Sequence, residues 1–306
     1  YKNGVLTKVE DESFGYDWDV DVSQDGTYAI IDRCETVRRV INIPSEIKVG
    51  NDTLPVQELD YFYIIGGNSS QVLNIPASVN QIQLSSNGRL MHINVDASNT
   101  TFESENGVLF ANDNTILMNY PAQKVGETYT MPDSVQLIDE GAFEDLVHLK
   151  TLNLSKSLIP YDYDEHYSIF NRDLGSVNAR DFWASFSLQN VNAPADSVYY
   201  SSVNGIIYAN DGKTLVMCPM GKIGEITIPS GVETIDYSAF NYCKKLTKIN
   251  ISSTVTKILG SAFSSCESLK EICIPESVTS IGSYAFSMCE SIRSITIPQS
   301  MKMIKV

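Results

Sequence analysis

The stretch AFSSCESLKEICIPESVTSIG, from Ala262 to Gly282, decides the fold. Its Phe263 stands midway between Phe240 and Phe286, 23 residues from each. Cys243, Cys266 and Cys289 keep the same interval, and so do Leu246, Leu269 and Ile292. The pairs Ile228-Pro229, Ile251-Ser252, Ile274-Pro275 and Ile297-Pro298 stay in step with them. The unit reads L-x-x-I-x-I-P-x-x-V-x-x-I-x-x-x-A-F-x-x-C-x-x. A unit this small cannot bury its own apolar face and must stack on its neighbours, so the period specifies a solenoid.

Within each unit, I-x-I alternates with period two and predicts a short strand with both isoleucines inward. Proline then ends the strand, because it has no N–H for the ladder. The A-F-x-x-C segment has closer spacing and predicts a helical or 3-10 turn on the opposite side. Stacked strands are expected to form one long parallel sheet.

Looser copies extend the array toward the N-terminus. The expected strand cores are Ile41-Asn42-Ile43, Leu73-Asn74-Ile75, Ile93-Asn94-Val95, Tyr129-Thr130-Met131, Leu152-Asn153-Leu154, Val191-Asn192-Ala193, Ile226-Thr227-Ile228, Ile249-Asn250-Ile251, Ile272-Cys273-Ile274 and Ile295-Thr296-Ile297. Two long turns carry a matching insertion, NGVLFANDNTILMNYP from Asn106 and NGIIYANDGKTLVMCP from Asn204. Each reads as strand, N-D-N or N-D-G turn, strand: a β-hairpin near 106–121 and another near 204–219. The pair suggests duplication of a larger unit. The expected organisation is an N-terminal cap over 1–35 and a solenoid over 36–306, regular at 225–298.

These units, from ISSTVTKILGSAFSSCESLKEICIP onward, together with the NGIIYANDGKTLVMCP hairpin, resemble BspA-type leucine-rich repeats. The resemblance covers roughly residues 36–306 and is strongest from 225 to 298. It implies a leucine-rich-repeat solenoid. It also implies a bacterial surface or secreted protein, of a family in which some members bind host matrix proteins.

Composition narrows the function. Charged residues sum to 22 minus 37, a net charge of −15. Such a surface repels phosphate backbones and anionic membranes. No apolar run approaches the roughly 18 residues of a membrane helix. No H-E-x-x-H, G-x-S-x-G or G-x-G-x-x-G occurs, and Gly212-Lys213-Thr214 lacks the P-loop glycine because Ile207 stands in its place. A non-catalytic protein with no cofactor and no metal is therefore expected. A glycan or peptide hydrolase would rest only on unpaired acids.

Six cysteines in a chain this long do not make a disulfide framework. The column of Cys243, Cys266 and Cys289 is read as small buried hydrophobes, since zinc-ligand spacing is absent. The acids of YDWDVDVSQDG, Tyr16 to Gly26, suggest a calcium loop, but Val22 stands where the EF-hand glycine belongs. Strand alternation explains them better, with Trp18, Val20 and Val22 on one face.

The residues between the strand isoleucines define an outward column: Asn42, Asn74, Asn94, Thr130, Asn153, Asn192, Thr227, Asn250, Cys273 and Thr296. They can bond to one another as a structural ladder or present a polar groove to a ligand. The insertion at 159–173 adds Tyr161, Tyr163, His166 and Tyr167, amphipathic aromatics suited to a contact surface. The ligand-contact candidates are thus Asn74, Asn94, Asn153, Asn192, Asn250, Cys273, Tyr161, Tyr163, His166 and Tyr167. The expected function is an extracellular or cell-surface adhesion module for a protein or polysaccharide, its secretion signal already removed. The alternative is a structural spacer. After Ile297-Pro298 no further Ala-Phe segment follows, so end-to-end self-contact or a continuation of the chain is expected there.

Overall fold

Short β-strands alternate with tight turns along the computed structural model. It describes residues 7–11, 15–66, 71–85, 88–159, 182–296, 298–301 and 303–304. Contacts divide them into two units, one ending at Val125 and the other beginning at Gly126. Each is built from stacked parallel turns, which is the solenoid architecture expected.

The first unit opens with β1 (Thr7–Asp11), β2 (Tyr16–Val22) and β3 (Ala29–Glu35). Then come β4 (Val40–Asn42), β5 (Glu46–Val49), β6 (Asp52–Ile65), β7 (Gln71–Ile75), β8 (Gln81–Leu84) and β9 (Leu90–Val95). The meander β10 (Phe102–Glu105), β11 (Val108–Ala111) and β12 (Ile116–Asn119) closes the unit. β1, β2 and β3 pair antiparallel, while β3, β6 and β8 run parallel. β4, β7 and β9 form a separate parallel ladder. Trp18, Ile31, Leu59 and Phe62 from the first sheet and Ile41, Leu73 and Ile93 from the second are all buried.

The period-two reading of β2 holds through Tyr16, Trp18 and Val20, which are buried. It fails at Val22, which is half-buried, while Asp21 turns inward. The register shift between Asp19 and Val20 leaves an extra residue on β3, whose buried face passes from Ile31 to Cys34. In β2 the Asp21 carboxylate accepts from the Val22 N–H at 2.8 Å. Asp25 organises the following turn. It accepts hydrogen bonds from Ser23 Oγ at 2.8 Å, from Thr27 Oγ1 at 2.7 Å and from the Thr27 N–H at 3.1 Å. Those bonds hold its carboxyl below the usual carboxylate range.

The second unit begins with β13 (Thr128–Thr130), β14 (Leu137–Ile138), β15 (Thr151–Asn153) and β16 (Asn190–Asn192). A second meander follows: β17 (Tyr200–Val203), β18 (Ile206–Ala209) and β19 (Thr214–Met217). The regular turns supply β20 (Gly224–Thr227), β21 (Thr234–Ile235), β22 (Leu246–Asn250), β23 (Lys257–Ile258), β24 (Glu271–Cys273), β25 (Ser280–Ile281) and β26 (Met303–Ile304). β13, β15 and β16 make one parallel ladder, and β20, β22 and β24 another. A further ladder runs β19, β21, β23, β25, β26 through the V-x-x-I part of each repeat. Between these ladders lie Phe240, Cys243, Leu246, Ile249, Val255, Ile258, Phe263 and Cys266, all fully buried or nearly so.

Three details of the repeats differ from expectation. In place of a single long sheet the I-x-I strands form separate three-stranded ladders, and the regular repeats add a second short strand at V-x-x-I that pairs in a sheet of its own. Ile295 and Thr296 form no strand, and Ile297 lies outside the described residues. The Ala-Phe segments are not helical, and no helix occurs among the described residues. Ser238 and Tyr242 have φ of 55° and 58°, and Ser261, Ser265, Tyr284 and Met288 repeat this left-handed geometry. The N–H groups of Ser238, Phe240 and Tyr242 donate to the carbonyls of Gly260, Ala262 and Ser264 in the next turn, at 3.1, 2.7 and 3.0 Å. A helix would spend those donors within its own segment. Here they bind one turn to the next, and the Phe column offsets the cost of the left-handed residues.

Each insertion has three strands rather than two. The extra strands β10 and β17 reach β11 and β18 through Asn106-Gly107 and Asn204-Gly205. All four of these residues have positive φ, as a two-residue type I′ turn requires. Both meanders carry a bulge at the same place, Leu109/Phe110 and Ile207/Tyr208. The Gly107 carbonyl accepts from the Ile93 N–H at 3.1 Å, and the Gly205 carbonyl from the Val191 N–H at 3.0 Å. Each meander therefore closes the edge of the ladder that precedes it. Lys124 Nζ donates to the Asn106 carbonyl and Lys222 Nζ to the Asn204 carbonyl, which fixes both turns from below.

Candidate binding face: the amide ladders

The outward column follows from the pleat. Ile41, Leu73 and Ile93 are buried, so the next residues, Asn42, Asn74 and Asn94, face outward. In-register pairing stacks them, Asn42 on Asn74 and Asn74 on Asn94. Asn74 Nδ2 donates to Asn42 Oδ1 at 2.6 Å, and Asn94 Nδ2 donates to Asn74 Oδ1 at 2.8 Å.

The second unit repeats the device twice. Asn153 Nδ2 donates to Thr130 Oγ1 at 2.9 Å, and Asn192 Nδ2 to Asn153 Oδ1 at 3.0 Å. Asn250 Nδ2 donates to Thr227 Oγ1 at 3.3 Å. Cys273 pairs in register with Asn250, is exposed, and ends that column. Among the ten candidates, the structure thus brings Asn74 and Asn94 together, and Asn153 and Asn192 together, and sets Asn250 beside Cys273. Tyr161, Tyr163, His166 and Tyr167 lie outside the described residues.

A side-chain amide has two N–H donors and a carbonyl with two lone pairs. Asn74 and Asn153 each spend one donor and one lone pair on the ladder. The remaining N–H and lone pair stay on the exposed side. Lys248 and Glu271, on rungs beside Asn250 and Cys273, pair at 3.1 Å. That bond raises the Lys248 ammonium above its ordinary value. Each ladder is thus uncharged along its outward column, and the last is bordered by a compensated ion pair. Such a column suits hydrogen bonding to a polar polymer or peptide.

The inward cysteines do different work. All six thiols are free. Cys266 Sγ donates to the Phe240 carbonyl at 3.1 Å and Cys289 Sγ to the Phe263 carbonyl at 3.0 Å. Burial pushes the Cys34 thiol up to about 12 and the Cys243 thiol well above its ordinary value, so neither is a reactive thiolate. Among the described residues no three His, Cys, Asp or Glu side chains converge as a metal site.

Sequence reasoning overlooked an aromatic cluster of the exposed Trp183 with the half-buried Tyr242 and Phe186. Its one available signal was that Tyr242, Ser265 and Met288 occupy the position just before the inward Cys column.

Residues 122–172 and 218–306 match the family model of the BspA type leucine rich repeat region, in six copies. These segments are BspA-type leucine-rich repeats. The solved structure of the pneumococcal vaccine antigen PcpA is similar in fold, with a TM-score of 0.57 at 19% identity. The match covers 98% of this chain and 78% of that one. A leucine rich cell surface protein from Faecalibacterium prausnitzii matches with a TM-score of 0.51 at 20% identity, over 98% of this chain and 85% of that one. A leucine-rich repeat protein from Eubacterium ventriosum matches with a TM-score of 0.50 at 20% identity, over 80% and 70%. At such identities the likeness is one of fold. No curated protein matches the chain in sequence. The matched segment 218–306 coincides with the most regular turns, where the Phe and Cys columns keep the 23-residue step.

Proposed function

We propose that the chain is a non-catalytic binding module that works outside the cell or at its surface and recognises a protein or polysaccharide through the amide ladders. The observation that carries this reading is the unspent hydrogen-bonding capacity of Asn74 and Asn153 on rigid, in-register rungs. A preorganised row of donors and acceptors loses little entropy on binding. The BspA-type repeats and the surface location named for the Faecalibacterium relative support the setting.

A second reading, a spacer that displays other parts of a longer protein, also has an observation in its favour. Asn74, Asn94, Asn153, Asn192 and Asn250 each already bond the preceding turn, which is what a stiff rod needs. Binding of the purified chain to immobilised matrix proteins and to a glycan array separates the two. The binding reading expects at least one saturable partner whose affinity falls several-fold in Asn74→Ala and Asn153→Ala. Silence on both panels removes it and leaves the spacer.

A further inference from the structure

The Ala-Phe turns of the second unit carry a surface that the amide ladders do not use. Phe240 and Cys243 point into the core, and Tyr242 between them is half-buried in left-handed backbone. Trp183 meets the Tyr242 ring at 4.4 Å between centroids with the planes 71° apart. The Lys244 ammonium lies 5.5 Å from the Phe186 ring centre and 5.6 Å from that of Tyr242. The same ammonium pairs with Glu267 at 2.7 Å.

Trp183 keeps 43% of its surface exposed, whereas the other tryptophan, Trp18, keeps 1%. Contacts on one side hold the exposed indole without hiding it. In an edge-to-face pair, one ring keeps both faces clear of the other. The cation occupies the faces of Phe186 and Tyr242. What is left is a fixed aromatic plate with an ammonium donor and a carboxylate acceptor beside it.

We propose that Trp183, Tyr242 and the Lys244–Glu267 pair form a stacking site for the pyranose ring of a neutral glycan. The apolar C–H face of the sugar packs on the ring, and its hydroxyls bond to Lys244 and Glu267. Charge selects a neutral ligand. Lys244 is already compensated by Glu267, and the chain as a whole carries −15, so nothing here draws an acidic polymer. Size selects a sugar over a protein. A stable protein interface buries about 1,200–2,000 Å² in all, whereas three rings and one ion pair match one or two sugar units. The site stands independently of the amide-ladder reading.

The test is titration of the full chain with cellohexaose, chitohexaose, mannohexaose and, as the acidic control, hexagalacturonate. Tryptophan emission reports the site, because Trp18 is sealed from solvent. At least one neutral hexasaccharide gives a saturable emission change. Tyr242→Ala, which retains the reporter, weakens that binding at least tenfold. By calorimetry, Trp183→Ala abolishes it and Trp183→Phe keeps it within threefold. No saturable change with any neutral hexasaccharide overturns the proposal. So does binding of hexagalacturonate alone, or unaltered affinity in both Tyr242→Ala and Trp183→Ala.

Discussion

The Phe263 ring stacks on that of Phe240 at 5.1 Å with the planes 13° apart, and Phe286 continues the stack at 5.2 Å and 8°. Phe263 is fully buried, so its truncation leaves a cavity lined by two rings that cannot close on it. Phe263→Ala should lower unfolding free energy by about 3–5 kcal/mol, measured by denaturant titration. Phe286, in the partly buried margin of the core, should cost less when truncated.

The thiol column is a packing element, and its chemistry should show that. Cys243, Cys266 and Cys289 are expected to appear as free thiols by mass spectrometry after denaturation and alkylation. In the native chain the exposed Cys273 should be alkylated well before the buried Cys243 and Cys266. A bridge between any two of the column would contradict the carbonyl-directed geometry of Cys266 and Cys289.

Gly205 has φ of +71°, and a Cβ there would lie 2.5 Å from Asn190 Oδ1 and 2.8 Å from Asn190 Cα. Gly205→Ala should therefore destabilise by more than the left-handed strain of about 1–3 kcal/mol. Gly212 has φ of +69° with nothing within 4 Å, so Gly212→Ala should cost that strain alone. Thermal midpoints of the two variants give the comparison directly.

Glu144 has its carboxyl raised to about 7, first by burial and then by Asp145 and Glu140. Asp32 is raised to about 6 by burial and by Asp60, Asp21, Asp19 and Glu58. A folded state that holds a proton more tightly than the unfolded chain loses stability as pH rises between the two values. Stability contributed by Glu144 is present below its ordinary value of 4.5 and lost toward 7, and that of Asp32 is present below 3.8 and lost toward 6. The denaturation midpoint should fall between pH 5 and 7, and Glu144→Gln should flatten that fall.

The 23-residue step placed Ile249, Ile272, Phe263 and Cys266 inward and Asn250 and Cys273 outward, because strand pleat and repeat period leave no other register. It also placed Asn74 on Asn94 and Asn153 on Asn192, although the intervals between those turns are irregular. The Ala-Phe turns were misread because close apolar spacing fits a helix and a turn-to-turn ladder equally well. Only the destination of the Phe240 and Tyr242 N–H groups distinguishes them. The strand β10 was hidden because FESE has little apolar content, even though Asn106-Gly107 is a strong hairpin signal. The Trp183–Tyr242 contact joins residues 59 positions apart across two irregular intervals, and no local pattern announces a pairing at that distance.

The twin Gly107 and Gly205 carbonyls have a further consequence. An open row of amides at the end of a parallel ladder is a template for joining another chain. Each block of the duplicated pattern brings its own plug for that row. In two of the three ladders the sealing group is thus part of the same stretch of chain as the edge it covers, so the edge is closed as soon as that stretch folds.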